Sequence, residues 1–200
     1  MSEPQVAVRK LDLASIKGLA HPIRVRIFDA LSVHGASTAS GLAERLGESS
    51  GATSYHLRQL ERHGFVREVD GKGTARERWW ERVPGGITLS AREAGNSPSS
   101  KAATLALLKQ WEQSRSVLLD EFVQRGYDNF GEEWIEASTT ATANLRLTAE
   151  QLDEVVKSWE MWADATLQKY RGKNPVGARP VQIHFNGFPV VGGDVTEEES

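Results

Sequence analysis

The chain has 200 residues, 39% hydrophobic and 26% charged, with six Trp and a formal net charge of −3; that is enough for one large domain or a small one with an accessory region. It contains no Cys, which excludes disulfides, thiolate metal sites and cysteine nucleophiles together. No apolar run is long enough to cross a bilayer and no basic-then-apolar leader opens the chain, so the expectation is a cytoplasmic protein with no membrane partner.

Residues 1–9 have no periodicity and are expected to be a flexible tail. From Leu11 to Val33 two helical patterns meet at His21-Pro22, where Pro22 suits the first turn of the second helix because its missing N–H costs nothing there. Ile23, Ile27, Ala30 and Leu31 supply that helix's apolar stripe, and Gly35 ends it. Ser37 or Thr38 can cap a third helix that turns Leu42, Ala43 and Leu46 inward. After the short turn Gly47-Glu48-Ser49, Ser49 or Ser50 caps a fourth helix running to about His63, with Gly64 as a left-handed stop. Phe65–Val69 and Arg76–Val83 read as strands joined by the Gly-rich tip Asp70–Ala75. Four helices followed by a hairpin predict a winged helix-turn-helix over residues 10–90.

The stretch 91–100, with Gly95-Asn96-Ser97-Pro98, reads as a linker. A long helix over about Lys101–Arg125 is expected next, broken between Gly126 and Glu133, then a helical stretch around Trp134–Ala143. Thr148-Ala149-Glu150-Gln151 has the form of a capping box, flanked by Leu147 and Leu152 as a hydrophobic staple. Leu152, Val155, Val156, Trp159, Ala163, Leu167 and Tyr170 continue one apolar face. Beyond the loop Asn174–Pro180, Val181–Phe185 alternates as a strand, with Asn144–Leu147 as its expected partner. The expected class is mainly α with a small β component (α+β): a winged helix-turn-helix, then a helical region at 101–190 for dimerisation and a possible effector, then a disordered acidic tail at 191–200.

Function is most legible on the fourth helix. Thr53, Leu57 and Leu60 share the inward face, whereas Gly51, Ser54, Tyr55, Arg58 and Arg62 share the outward one. Two helices joined by so short a turn cross steeply, which lifts the second off the body as a rod. Small hydroxyls permit close approach to a major groove, Tyr reaches phosphates or base edges, and Arg can fork onto guanine. The helix start at Ser49, Ser50 and Gly51 aims N–H groups at a phosphate. Lys72 and Arg76 at the hairpin extend the cationic surface. Charge is distributed to match: residues 1–90 carry 13 Lys+Arg against 10 Asp+Glu, residues 91–200 carry 11 against 17. A local positive patch, not a positive whole, is what phosphate binding needs.

Leu19-Ala20-His21-Pro22-Ile23-Arg24-Val25-Arg26-Ile27 and Tyr55-His56-Leu57-Arg58-Gln59-Leu60, followed by Gly64-Phe65-Val66, resemble the two signature stretches of ArsR-type winged-helix regulators. The resemblance spans about residues 11–83. It implies a homodimeric DNA-binding fold, repression relieved by an effector, and DNA contacts at Ala52, Ser54, Tyr55 and Arg58. Two features depart from the family: the metal-sensing Cys residues of many members are absent, and the second hundred residues are an addition.

No cofactor is expected. His21, His34, His56, His63 and His184 include no i, i+4 pair beside a carboxylate, and His56 borders the core face of its helix, as a packed, hydrogen-bonded residue does. Glu132-Glu133 and Asp153-Glu154 are sequence neighbours that diverge on a helix, hence solvated charges rather than acid–base pairs. Consecutive Trp79 and Trp80 must point to opposite faces of their strand, one into the core. Trp159 and Trp162 could line an apolar pocket, but their spacing also fits core or dimer packing. The expected activity is therefore sequence-specific double-stranded DNA binding by a homodimer that regulates transcription as a repressor, and not an enzymatic one; the rivals are a protein-binding winged helix and an enzyme carried by the C-terminal half.

Overall fold

The computed structural model describes residues 8–74, 77–89, 95 and 97–194. Arg9–Lys10 forms β1 and pairs in parallel with β5 (Ile87–Thr88), Arg9 beside Ile87 and Lys10 beside Thr88. Arg9, expected at the end of the flexible tail, is therefore held in a strand, and residues 1–7 of that expected tail lie outside the described residues. Helix α1 (Leu13–Leu19) is capped by Asp12, whose carboxylate accepts from the Ser15 N–H at 2.8 Å. Helix α2 (Pro22–His34) opens on Pro22 as the sequence predicts, and the His21 Nδ1 accepts from the Ile23 N–H.

Strand β2 (Ser37–Thr38), which the sequence did not announce, leads directly into α3 (Ala39–Leu46), capped by Thr38. Gly47, at φ 67°, turns the chain into α4 (Ser50–Arg62), capped by Ser49. Gly64, at φ 68°, ends α4 as expected; the Phe65 N–H reaches back to the Leu60 carbonyl in the bonding pattern of a left-handed terminator. Strands β3 (Val66–Thr74) and β4 (Glu77–Arg82) pair antiparallel, with β2 on the far side of β4. Strand β3 is longer than expected. Gly71 and Gly73 belong to the strand, and their positive φ values coincide with a register shift between Glu68 and Gly73. Together these elements form a winged helix-turn-helix.

Its core contains Leu11, Ile16, Leu19, Ile27, Leu42, Leu57 and Leu60, none more than 1% exposed. Trp80 enters this core, while Trp79 stays half-buried on the wing, so the two rings diverge as the strand alternation requires. Leu107 and Trp111, from the second half of the chain, belong to the same buried cluster.

Helix α5 (Pro98–Asn129) starts inside the expected linker and runs through Gly126 without a break. Gly126 is buried in the helix, and a Cβ there would stand 3.0 Å from the Phe122 ring. It marks a close approach, not a stop. The expected helix around Trp134–Ala143 contracts to α6 (Glu132–Glu136). Helix α7 (Ala149–Leu167) begins with the full reciprocal capping box of Thr148 and Gln151. Of the expected apolar face only Ala163 is buried; Val155 is exposed, as is Tyr170, which lies past the end of the helix.

Neither Val181–Phe185 nor Asn144–Leu147 is a strand, and the two do not pair. Phe185 instead stacks on Trp159 at 4.8 Å, with Trp162 4.9 Å from Trp159 on the helix. Alternation is present in these segments, but apolar packing against α7 takes the place of a ladder. Residues 195–200 of the expected acidic tail lie outside the described residues. No described helix is long and apolar enough to cross a membrane.

Candidate nucleic-acid interface

Helix α4 is positioned from below by Thr53, Leu57 and Leu60, each fully buried. The turn before it is clamped onto α2: Arg26 forms an ion pair with Glu48 at 3.1 Å and also donates to the Leu46 carbonyl. Ser49 spends its hydroxyl as a cap, accepting from the Ala52 N–H at 3.1 Å, while the Thr53 hydroxyl donates to the Ser49 carbonyl. Ser49 and Ala52 thus build the helix start, with Ala52 half-buried.

The remaining outward residues divide into two rows. Gly51, Tyr55 and Arg62 form the exposed crest, with Tyr55 56% exposed. Ser50, Ser54 and Arg58, spaced at i, i+4 and i+8, line a cleft of about 290 Å³ beside the wing. Its other walls come from Thr38, Ala39 and Ser40 at the start of α3 and from Glu77, Arg78 and Trp80 on β4.

Lys72 lies on the outer hairpin with its Nζ 3.9 Å above the Trp79 ring, a cation–π contact that holds the ammonium at the wing surface. Arg76 falls outside the described residues. Ser40, Glu77 and Arg78 were not singled out from sequence. Arg78, two residues from Trp80, shares its strand face, but the sequence left open which of Trp79 and Trp80 turns inward, so that face was not assigned. Arg78 also pairs with Glu68 on β3 at 3.4 Å.

His56 is buried as expected, but among the described residues its Nδ1 has no hydrogen-bond partner, which departs from the expected hydrogen-bonded histidine. Its ring lies 4.4 Å from that of His21 and 5.1 Å from Tyr55. Burial, then the nearby His21 and Arg24, push the His56 pKa down against a smaller opposing effect of Glu48. Burial and Arg24 likewise lower His21. Both imidazoles are thereby held toward the neutral form beneath the helix. Among the described residues no group of three or more His, Asp or Glu could hold a metal ion.

Residues 19–69 match the family model of a helix-turn-helix domain. That segment contains α2, α3, α4 and the first residues of the wing. Comparison with curated proteins finds no match. Among solved structures, the reduced form of HlyU from Vibrio cholerae N16961 is 23% identical, covering 48% of this chain and 83% of its own, with a TM-score of 0.30. The adhesin competence repressor AdcR of Streptococcus pyogenes is 14% identical over 70% of this chain and 76% of its own, at 0.30. A mutant of ZitR from Lactococcus lactis in apo form is 15% identical over 74% and 83%, at 0.30.

Proposed function

We propose that this chain is an ArsR-type regulator of transcription that binds operator DNA as a homodimer and represses, with its C-terminal half serving assembly and effector response. The observation that carries the proposal is the outer face of α4. A helix seated on the core by Thr53, Leu57 and Leu60 presents Ser50, Gly51, Ser54, Tyr55, Arg58 and Arg62 toward solvent beside a wing, with Glu61 exposed at its C-terminal end. Such a face suits the floor and walls of a major groove. A protein-binding winged helix would instead display an apolar patch there; Tyr55 is the one large hydrophobic exposed on α4.

The apolar surface lies in the other half. Along α5, Leu105, Leu108, Leu119, Val123 and Tyr127 form an exposed stripe on the side away from Leu107 and Trp111. A second copy seated on this stripe would cover it, and two reading helices would supply the footprint that one lacks.

In vitro selection from randomised duplexes tests the proposal. The expected product is an inverted repeat with half-site centres roughly 34–36 Å apart. No enrichment, or enrichment of one unrepeated half-site, would refute the dimeric DNA-binding function.

A further inference from the structure

We propose that the cleft between α4 and the wing seats the phosphodiester backbone of one DNA strand, gripped by Arg58 from the helix and Arg78 from β4, with Glu77 weakening the grip. The inference rests on the DNA-binding function proposed above and assigns the contacts within it. It changes the role of Arg58 from reading a base edge to holding a phosphate.

Three observations carry it. Arg58 and Arg78 line one cleft from opposite elements, so an anion entering between them meets guanidinium donors on two sides. Ser50 and Ser54 on the helix and Ser40 at the head of α3 add hydroxyl donors along the same walls. The cleft is also adjacent to the crest of Gly51, Tyr55 and Arg62, so a strand lying in it leaves that crest facing the groove beside it. Base readout then falls to the crest, and backbone positioning to the cleft.

Two carboxylates bear on the cleft. Glu68 pairs with Arg78, but both side chains are substantially exposed, at 40% and 65%, and such a pair is readily exchanged for a phosphate. Glu77 lines the cleft itself and opposes an incoming anion at any sequence. A site with two cations and one opposing carboxylate holds the backbone loosely, which suits a protein that must leave non-cognate DNA.

The test is a salt titration of binding to a selected duplex and to a scrambled one, using the full-length chain. Arg78→Ala and Arg58→Ala are each expected to weaken both duplexes by the same factor and to lower the slope of log affinity against log salt by about 0.9. Arg78→Lys keeps the charge and should keep the slope. Glu77→Gln should tighten both duplexes by a common factor. The proposal is overturned if Arg78→Ala leaves the slope unchanged, or if Arg58→Ala weakens only the selected duplex. In that event a loss of selected-duplex binding in Tyr55→Ala still supports DNA recognition by α4. If the parent protein binds neither duplex, the DNA-binding function itself fails and this assignment falls with it.

Discussion

His56 lies on the buried underside of α4, 7% exposed, with its ring 4.4 Å from His21 and its Nδ1 without a hydrogen-bond partner among the described residues. Burial is the largest cause lowering the pKa of His21, His56 and His63 from the ordinary 6.5. The folded state therefore binds fewer protons than the unfolded chain once pH falls below that value. Stability should be level above about pH 6.5 and decline as pH drops through and below the ordinary histidine range. His56→Leu removes one such group, so the fall in urea midpoint between pH 8 and pH 5.5 should be shallower than in the parent. An equally steep fall would show that His56 does not drive the decline. The burial of His56 was legible from its place beside the Thr53–Leu57–Leu60 face. Its missing partner was not, because helical periodicity gives the direction of a side chain and not what waits there. The same limit hid the division of Ser54 and Arg58 from Tyr55 and Arg62, which depends on where the wing lies.

At the scale of elements, the start of α4 depends on one hydroxyl. Ser49 accepts from the Ala52 N–H, and the adjoining Thr53 hydroxyl bonds back to the Ser49 carbonyl. Ser49→Ala should lower stability by about 0.5–2 kcal/mol in urea unfolding and speed amide exchange in the first turn of α4. A variant that loses no stability would mean that water or another group satisfies the same N–H. Caps and stops of this kind were legible: Pro22, Thr38, Gly64 and the Thr148–Gln151 box act locally, within a few residues of the chain they terminate. Elements whose fate depends on distant partners were not. Gly71 and Gly73 resemble a hairpin tip until β4 is there, with Arg78 opposite Gly73 and Gly71 in the irregular stretch between Glu68 and Gly73. Val181–Phe185 alternates in sequence, but a strand also needs a neighbouring edge, and Trp159 captures Phe185 instead.

For the molecule as a whole, the winged half was legible because its core is built mainly from contacts within about eighty residues. Leu107 and Trp111 extend that core across the Gly- and Ser-rich stretch, so α5 is rooted in the winged helix while its far end carries the exposed stripe. Leu119→Asp with Val123→Asp changes only side chains already in solvent, at 46% and 64% exposure. The double variant should retain the parent's circular dichroism, sediment as a monomer, and lose affinity for the paired operator more than for a half-site. A dimeric double variant, or a monomeric parent, would place assembly elsewhere or remove it. The shape of α5 has a mechanical corollary. From Trp111 to Asn129 the rod extends roughly 27 Å at 1.5 Å per residue, with its fulcrum where Leu107 and Trp111 are buried. Tilting it by about 10° about that fulcrum swings the tip by about 5 Å, more than one base-pair step of roughly 3.4 Å. In a dimer joined at such tips, a small leverage at the root would carry the two α4 helices out of phase with successive turns of the duplex, without unfolding either one.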